Sequence, residues 1–128
     1  MKKEIVVIDD DLIYRMIISK LIKDIDPSIA IKECEDGEIG LGELNSSQDS
    51  LERVIVLLDI NMPILDGWHF LDEIENSNLY NTSRLTIYMV TSSIDEMDIE
   101  KSKTYKTVKG FYSKPLTKAN LEEIIITN

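Results

Sequence analysis

The stretch Val54-Ile55-Val56-Leu57-Leu58-Asp59-Ile60-Asn61-Met62-Pro63 determines how the rest of the chain is interpreted. It begins with an unbroken apolar run rich in β-branched residues, which indicates a strand buried on both faces of a sheet. Pro63 has no backbone N–H to donate to a neighbouring strand, so a central strand must end before it. The first charged residue after the apolar run is Asp59, and we therefore predict that Asp59 lies at the carboxyl end of a central strand.

Segments of the same kind recur along the chain and alternate with segments of helical spacing. The predicted strands are Ile5–Ile8, Ile29–Glu35, Val54–Leu58, Leu85–Val90 and Gly110–Tyr112. The predicted helices are Leu12–Ile25, Glu38–Leu44, Trp68–Glu75, Asp95–Tyr105 and Thr117–Ile126. Regular alternation of strands and helices predicts an α/β domain, in which right-handed crossover helices cover both faces of a parallel sheet.

The first helix is predicted from the spacing of its apolar residues and from its boundaries. The apolar residues that carry this spacing are Ile13, Met16, Ile17, Leu21 and Ile25, and their intervals fit one helix face. Asp11 precedes the segment and is a residue type that caps helix N-termini well. Pro27 ends the helix.

Polar side chains stand where the predicted strands end. In an open parallel sheet the functional groove lies at the carboxyl ends of the strands, where the strand order reverses. Every predicted strand except the second carries there a group that can handle a phosphate or a metal: Asp9 and Asp10, Asp59, Thr91, and Lys114. Because these residues are distant in sequence, local composition does not explain their common position.

The residue types at the strand ends point to one kind of chemistry. Three carboxylates brought together repel one another and raise one another's pKa. A hard divalent cation with oxygen ligands, Mg²⁺ or Mn²⁺, relieves that repulsion. A carboxylate such as Asp59, placed beside a metal, the ammonium group of Lys114 and the hydroxyl group of Thr91, is suited to act as a nucleophile that forms an acyl phosphate.

Composition and charge exclude several classes of function. The formal net charge of −10 and the lack of a Lys/Arg cluster argue against binding nucleic acid. No apolar run approaches the roughly 20 residues of a membrane-spanning helix. Met1-Lys2-Lys3-Glu4 leads directly into a strand, so we expect no signal peptide, and a lone cysteine, Cys34, fits a reducing cytoplasm. With 128 residues we expect one domain over 1–128 and no separate output domain.

Four motifs together resemble the receiver domains of two-component response regulators, in particular stand-alone single-domain regulators. They are Val7-Ile8-Asp9-Asp10-Asp11, Leu57-Leu58-Asp59-Ile60-Asn61-Met62-Pro63 with Asp66-Gly67, Met89-Val90-Thr91-Ser92-Ser93, and Gly110-Phe111-Tyr112-Ser113-Lys114-Pro115. The resemblance covers the whole chain, with the motifs in the family's order. It implies a doubly wound, flavodoxin-like three-layer sandwich with five parallel strands in the order 2-1-3-4-5.

The resemblance also implies a role for each residue at the site. Asp59 is the phosphoacceptor. Asp10 and Asp59 bind Mg²⁺, or Mn²⁺ as a substitute, through their side chains. The backbone carbonyl group of Asn61 is a third ligand, and Asp9 acts mainly through metal-bound water. Thr91 and Lys114 bind the phosphoryl oxygens, and the Lys114–Pro115 peptide bond is expected to be cis.

A switch is implied at Thr91 and Phe111. On phosphorylation Thr91 moves toward the phosphoryl group and Phe111 turns inward, whereas Tyr112 should face the opposite side of its strand. The change is passed to the surface formed by the fourth helix, fifth strand and fifth helix, which a downstream protein partner reads. The phosphoryl donor is a sensor histidine kinase or a histidine phosphotransfer protein, and the chain is expected to be a monomer or weak homodimer. No activity is implied beyond its own phosphorylation and dephosphorylation.

Two alternatives remain open from the sequence. A haloacid-dehalogenase-type phosphatase also combines an Asp nucleophile with Mg²⁺ and Lys, but it requires a second Asp two residues later as a general acid. Asn61 occupies that position and cannot serve as the acid. A scaffold that keeps the fold without being phosphorylated is the other alternative, and the intact set of Asp9, Asp10, Asp59, Thr91 and Lys114 argues against it.

Overall fold

The computed structural model describes residues 3–46, 53–77, 84–92 and 95–128, so Ser93 of the third motif lies outside the described part. The strands are β1 (Lys3–Ile8), β2 (Ala30–Cys34), β3 (Arg53–Leu58), β4 (Leu85–Thr91) and β5 (Val108–Ser113). The helices are α1 (Leu12–Ile25), α2 (Gly37–Ser46), α3 (Gly67–Asn76), α4 (Glu96–Ser102) and α5 (Lys118–Thr127). Each predicted element is present; α1 has the predicted bounds, and the ends of the other elements are displaced by one to a few residues.

The five strands form one parallel sheet in the order β2-β1-β3-β4-β5, which confirms the predicted topology. The register aligns the carboxyl ends of the central strands, because Ile8 pairs with Leu58 of β3 and with Cys34 of β2. On the other side of β3, Leu58 pairs with Met89 of β4. Residues that follow β1 and β3 therefore emerge side by side at one edge of the sheet.

Helices cover both faces of the sheet, as the apolar strands require. The first hydrophobic cluster joins Val6, Ile8, Val56 and Leu58 to Phe70, Leu71 and Ile74 of α3. The second joins Ile5, Val7, Ile55 and Leu57 to Ile18 and Ile22 of α1 and to Leu121 and Ile124 of α5. Successive residues of one strand thus enter opposite clusters, and the molecule is the expected three-layer sandwich.

The first helix forms as predicted, but the spacing did not identify its buried face. Asp11 caps the helix, since its Oδ1 accepts hydrogen bonds from the N–H groups of Ile13 (3.0 Å) and Tyr14 (3.2 Å). Ile18 and Ile22 are buried against the sheet. Four large apolar side chains instead face outward, and we call them the α1 apolar patch: Leu12, Ile13, Met16 and Ile17, with exposed fractions of 58%, 68%, 58% and 52%. When a helix has apolar residues on two sides, their spacing alone does not identify which side is buried.

The fourth helix is shorter than its predicted range of 95–105. It begins after its N-cap, Asp95, whose side chain accepts from the N–H of Met97. Beyond Ser102 the N–H groups of Lys103 and Thr104 bond carbonyl groups three residues earlier, which tightens the chain into a turn. In the described part of the chain, no helix has the length and apolar character needed to cross a membrane.

Candidate functional site

Three carboxylates meet at the carboxyl edge of the sheet. One oxygen each of Asp9, Asp10 and Asp59 lies within 4.8 Å of the others. The pairing of β1 with β3 brings them together, because the N–H of Asp59 donates to the carbonyl oxygen of Ile8 at 3.0 Å. Asp9 and Asp59 are 2% and 6% exposed, whereas Asp10 is open to solvent. The three acids therefore lie together at the ends of β1 and β3, as predicted.

Lys114 reaches the same cluster from the end of β5. Its Nζ lies 2.5 Å from Oδ2 of Asp9 and 3.5 Å from Oδ2 of Asp59. The backbone N–H of Lys114 donates to the carbonyl oxygen of Thr91 at 2.9 Å, which joins the tips of β4 and β5. The Lys114–Pro115 peptide bond is cis, as expected.

Burial and charge act together on the acids and the lysine. Burial, reinforced by the negative charge of Asp9, raises the pKa of Asp59 to about 6, although the positive charge of Lys114 opposes the rise. Burial by itself would lower the pKa of Lys114. The hydrogen bond to Asp9 and the charges of Asp59 and Asp9 outweigh that effect, so the pKa of Lys114 is raised overall. Lys114 is therefore a stable cation at neutral pH.

The donor set fits a hard divalent cation. Three carboxylates against one ammonium group give a local charge of −2 when all are ionised, which favours a divalent partner. Oxygen donors and an opening to solvent at Asp10 suit an ion such as Mg²⁺ that keeps several waters. Asn61, two residues after Asp59, is exposed to solvent. Its carbonyl group as a ligand stays a prediction.

The residues predicted to switch lie on β4 and β5, whose ends Lys114 joins. Thr91 is the last residue of β4 and is completely buried. Phe111 is half-buried and packs against the cluster on the α3 side of the sheet, while Tyr112 packs on the other side, with its ring centroid 5.9 Å from that of Tyr88. The expectation that Tyr112 faces away from Phe111 is confirmed. Movement of Thr91 and Phe111 stays a prediction.

Two neighbours of the site were not identified from the sequence, and both lie in the first turns of α1. The guanidinium group of Arg15 donates to the carbonyl oxygen of Asp9 at 2.6 Å and lies 3.4 Å from Glu33. The ring of Tyr14 faces Lys114, whose Nζ is 4.5 Å from the ring centroid. The sequence did contain a signal for them, since they stand four and five residues after Asp10. The first turns of a helix that follows the end of a strand border the groove at that end, so residues at this distance can reach the site.

Other residues considered from the sequence lie outside this site. His69 is exposed, with its Nδ1 2.8 Å from Asp66. Trp68 stacks on Tyr105 at a centroid distance of 6.0 Å. Cys34 is buried, and burial raises the pKa of its thiol to about 11. A thiol with that pKa is almost entirely protonated at neutral pH and is a poor nucleophile.

Solved structures similar to this chain share its fold. A two-component response regulator from Cytophaga hutchinsonii superposes with a TM-score of 0.86 at 25% identity, covering 99% of this chain and 97% of that one. The chemotaxis protein CheY4 of Vibrio cholerae superposes with a TM-score of 0.80 at 18% identity, covering 99% and 98%. The second likeness, at that identity, concerns the fold alone.

Sequence comparisons assign the family. A curated relative, a protein-glutamate methylesterase/protein-glutamine glutaminase from Desulfotalea psychrophila, is 31% identical over 72 residues. That match covers 56% of this chain and only 19% of the relative. The family model of the response regulator receiver domain matches residues 5–126, which is nearly the whole chain. The chain therefore belongs to the response regulator receiver domain family.

Proposed function

We propose that this protein accepts a phosphoryl group on Asp59 in a Mg²⁺-dependent reaction and signals by changing its protein-binding surface. The donor is the phosphohistidine of a cytoplasmic sensor kinase or phosphotransfer protein. The observation that carries the proposal is the meeting of Asp9, Asp10, Asp59 and Lys114 at the carboxyl edge of the sheet. A nucleophile, a place for a cation and an ammonium group beside the nucleophile are the parts that phosphoryl transfer requires.

The transfer exchanges one bond to phosphorus for another. The carboxylate of Asp59 forms a P–O bond as the P–N bond to the donor histidine breaks, and the electron pair of that bond returns to the imidazole ring. Asp59 must be ionised to attack, and with a pKa of about 6 it is mostly ionised at neutral pH. Mg²⁺ bound by Asp10, Asp59 and the carbonyl group of Asn61, with Asp9 acting through water, would supply positive charge against the phosphoryl oxygens.

Lys114 and Thr91 hold the product of the transfer. Lys114 now contacts Asp9 at 2.5 Å, and its flexible stem allows the ammonium group to turn to a phosphoryl oxygen. The hydroxyl group of Thr91 donates to another phosphoryl oxygen. As Thr91 moves, Phe111 occupies the space it leaves, so a local change in hydrogen bonding biases a two-state element.

The surface that carries the signal is formed by α4, β5 and α5. Phe111 borders a cavity of about 120 Å³ between α4 and β5, lined also by Ile99, Ser102 and Gly110. Inward movement of the Phe111 ring would change the floor of that cavity. A downstream partner that binds across α4 and β5 would therefore distinguish the two states, and a weak homodimer could use the same face.

The donor protein docks on the α1 apolar patch. Leu12 and Ile13 belong to the first turn of α1, two and three residues after Asp10, so a protein bound to the patch can bring a histidine to Asp59. Exposed apolar side chains that adjoin one another commonly mark an interaction surface. A small phosphodonor needs no such contact.

Turnover of other phosphate esters is not part of the proposed function. In the phosphatase alternative an acid two residues after the nucleophile protonates the leaving group, and Asn61 has no acidic proton to supply. The catalytic role of the chain is then limited to its own phosphorylation and dephosphorylation. Hydrolysis of added phosphomonoesters at a rate dependent on Asp59 would favour the phosphatase.

The decisive experiment is labelling with acetyl phosphate and Mg²⁺, followed by intact mass measurement. We expect one phosphoryl group per chain, lost on hydroxylamine treatment, and borohydride reduction should convert residue 59 to homoserine. Labelling should fail in EDTA and in the matched Asp59→Asn variant. Equal labelling of that variant would overturn the proposal. So would a wild-type protein that neither acetyl phosphate nor any sensor kinase of the source organism can label.

A further inference from the structure

Tyr14 touches the functional lysine but has no role in the mechanism above. Nζ of Lys114 lies over the face of its ring, 4.5 Å from the centroid. Its hydroxyl oxygen accepts a hydrogen bond from the backbone N–H of Leu116 at 3.5 Å, the long limit of such a bond. Tyr14 therefore contacts the segment 114–116 at both the side chain and the backbone.

The ring is held in place by contacts that do not involve Lys114. The backbone N–H of Tyr14 donates to the capping side chain of Asp11 at 3.2 Å, and this contact fixes the first turn of α1. The ring is half-buried and packs against the cluster formed by α1, α5 and one face of the sheet. Tyr14 is thus a fixed surface against which a mobile lysine can rest.

We propose that Tyr14 is a positioning residue that keeps the ammonium group of Lys114 at the site while Lys114 exchanges Asp9 for a phosphoryl oxygen. The inference rests on the proposed role of Lys114 in binding that oxygen. A lysine side chain has a flexible stem of four carbons, so it loses much conformational freedom when its ammonium group is fixed. The aromatic face of Tyr14 attracts the ammonium group that lies over it and so limits the conformations of the lysine side chain.

A ring suits this position better than the other common side chains. A carboxylate would attract the ammonium group more strongly, but it would compete with the phosphoryl group and add negative charge to a site that already holds three acids. An aliphatic side chain would desolvate the ammonium group without compensating it. The π face attracts the cation and leaves its N–H groups free to bond the phosphoryl oxygen.

Two substitutions separate the ring from the hydroxyl group. Tyr14→Phe keeps the aromatic face and loses the contact to Leu116, while Tyr14→Leu loses the face and keeps an apolar side chain. With acetyl phosphate and saturating Mg²⁺, we expect Tyr14→Leu to lower the maximal labelling rate about threefold to tenfold, with little change in the half-saturating donor concentration. Tyr14→Phe should retain most of the wild-type rate.

A double-mutant cycle with Lys114→Ala tests whether Tyr14 acts through the lysine. In that background Tyr14→Leu should have no further effect on the labelling rate, because there is no ammonium group to position. An equal slowing with and without Lys114 would show a merely structural role and overturn the proposal. The proposal would also be overturned if acetyl phosphate labelled the Tyr14→Leu protein at the wild-type rate.

An NMR measurement on the unphosphorylated proteins gives a readout independent of activity. The ring current should shift the ε-methylene resonances of Lys114 upfield in the wild type and in Tyr14→Phe, but not in Tyr14→Leu. Identical resonances in all three proteins would overturn the proposal while leaving the function of Asp59 intact. Failure of the wild type to be labelled is a different result, which overturns the proposed function and the role of Tyr14 with it.

Discussion

Asp9 and Asp59 share the ammonium group of Lys114 unequally: its Nζ lies 2.5 Å from Oδ2 of Asp9 but 3.5 Å from Oδ2 of Asp59. Asp59 is buried beside a like charge and receives the weaker compensation, which is why its pKa rises to about 6. The fold therefore holds Asp59, the proposed nucleophile, ionised at neutral pH at some cost in stability.

Asp59→Asn should stabilise the metal-free protein at neutral pH. Because the folded-state pKa of about 6 lies above the ordinary value of 3.8, the folded protein binds more protons than the unfolded chain between those values. The unfavourable contribution of Asp59 is absent below 3.8 and fully present above about 6. We expect the variant's advantage in unfolding free energy to grow from pH 4 to about 1–3 kcal/mol at pH 7.5.

Urea unfolding in EDTA across this pH range measures the difference between Asp59→Asn and the wild type. EDTA is needed because a bound cation would lower the pKa of the carboxylate. An advantage of the variant that stays constant or shrinks as the pH rises would contradict the prediction.

Removing Asp10 should weaken Mg²⁺ binding, whereas the same change at Asp11 should not. Asp10 belongs to the cluster of acids that could hold a cation, while the side chain of Asp11 accepts from the N–H groups of Ile13 and Tyr14. Asparagine caps helices as well as aspartate does, so Asp11→Asn is a matched control. We expect at least about a tenfold loss of Mg²⁺ affinity in Asp10→Asn, about 1.4 kcal/mol.

Calorimetric titration with Mg²⁺ tests this comparison directly. Thermal unfolding gives a second measure, since an ion that binds only the folded state raises its stability. Equal Mg²⁺ affinities in the two variants would mean that the ion is not bound at this cluster.

Gly67→Ala should disturb Asp59 through the backbone. A Cβ atom at Gly67 would lie 2.5 Å from the carbonyl oxygen of Asp59, and a backbone atom cannot give way as the end of a side chain can. We expect a loss of about 1–3 kcal/mol in unfolding free energy and slower labelling by acetyl phosphate. Gly42 is the matched control, because a Cβ there meets nothing within 4 Å.

Gly42→Ala should stabilise α2 by about 0.5–1 kcal/mol and leave labelling unchanged. Chemical denaturation and labelling of the two alanine variants provide the comparison. If Gly67→Ala kept both wild-type stability and wild-type labelling, close packing at this glycine would not help to place Asp59.

The acids at the strand tips were predictable because one rule, that parallel strands end at a common edge, places Asp9 and Asp59 together without knowledge of any contact. The contributions of α1 were not predictable in the same way. An aromatic residue such as Tyr14 in a helix has the same apolar signature as a core residue. The outward face of α1 is nearly as apolar as its inward face, so spacing could not tell Ile17 from Ile18. Only the packing against α5 and the sheet decides which is buried.

The α1 apolar patch yields a prediction that separates protein donors from small ones. The double variant Ile13→Ala/Ile17→Ala removes apolar surface but keeps a strong helix former at both positions. We expect kcat/KM for phosphotransfer from the cognate phosphohistidine protein to fall about fivefold or more, since truncation at an interface centre commonly exceeds about 1 kcal/mol. Labelling by acetyl phosphate should stay unchanged, because that donor reaches Asp59 without the patch.

Ile126→Ala is the matched control for this variant. Ile126 is 82% exposed but lies in the last turn of α5, next to Ile125, whose carbonyl oxygen accepts from the Nζ of Lys3 at 3.0 Å. Because Lys3 begins β1, this turn is at the opposite edge of the sheet from Asp59, and phosphotransfer should be unaffected. If Ile126→Ala slowed phosphotransfer as much as the double variant does, the effect would come from a general loss of exposed apolar surface and not from the α1 apolar patch. Slower acetyl phosphate labelling in the double variant would instead place the effect in the site, since docking plays no part in that reaction.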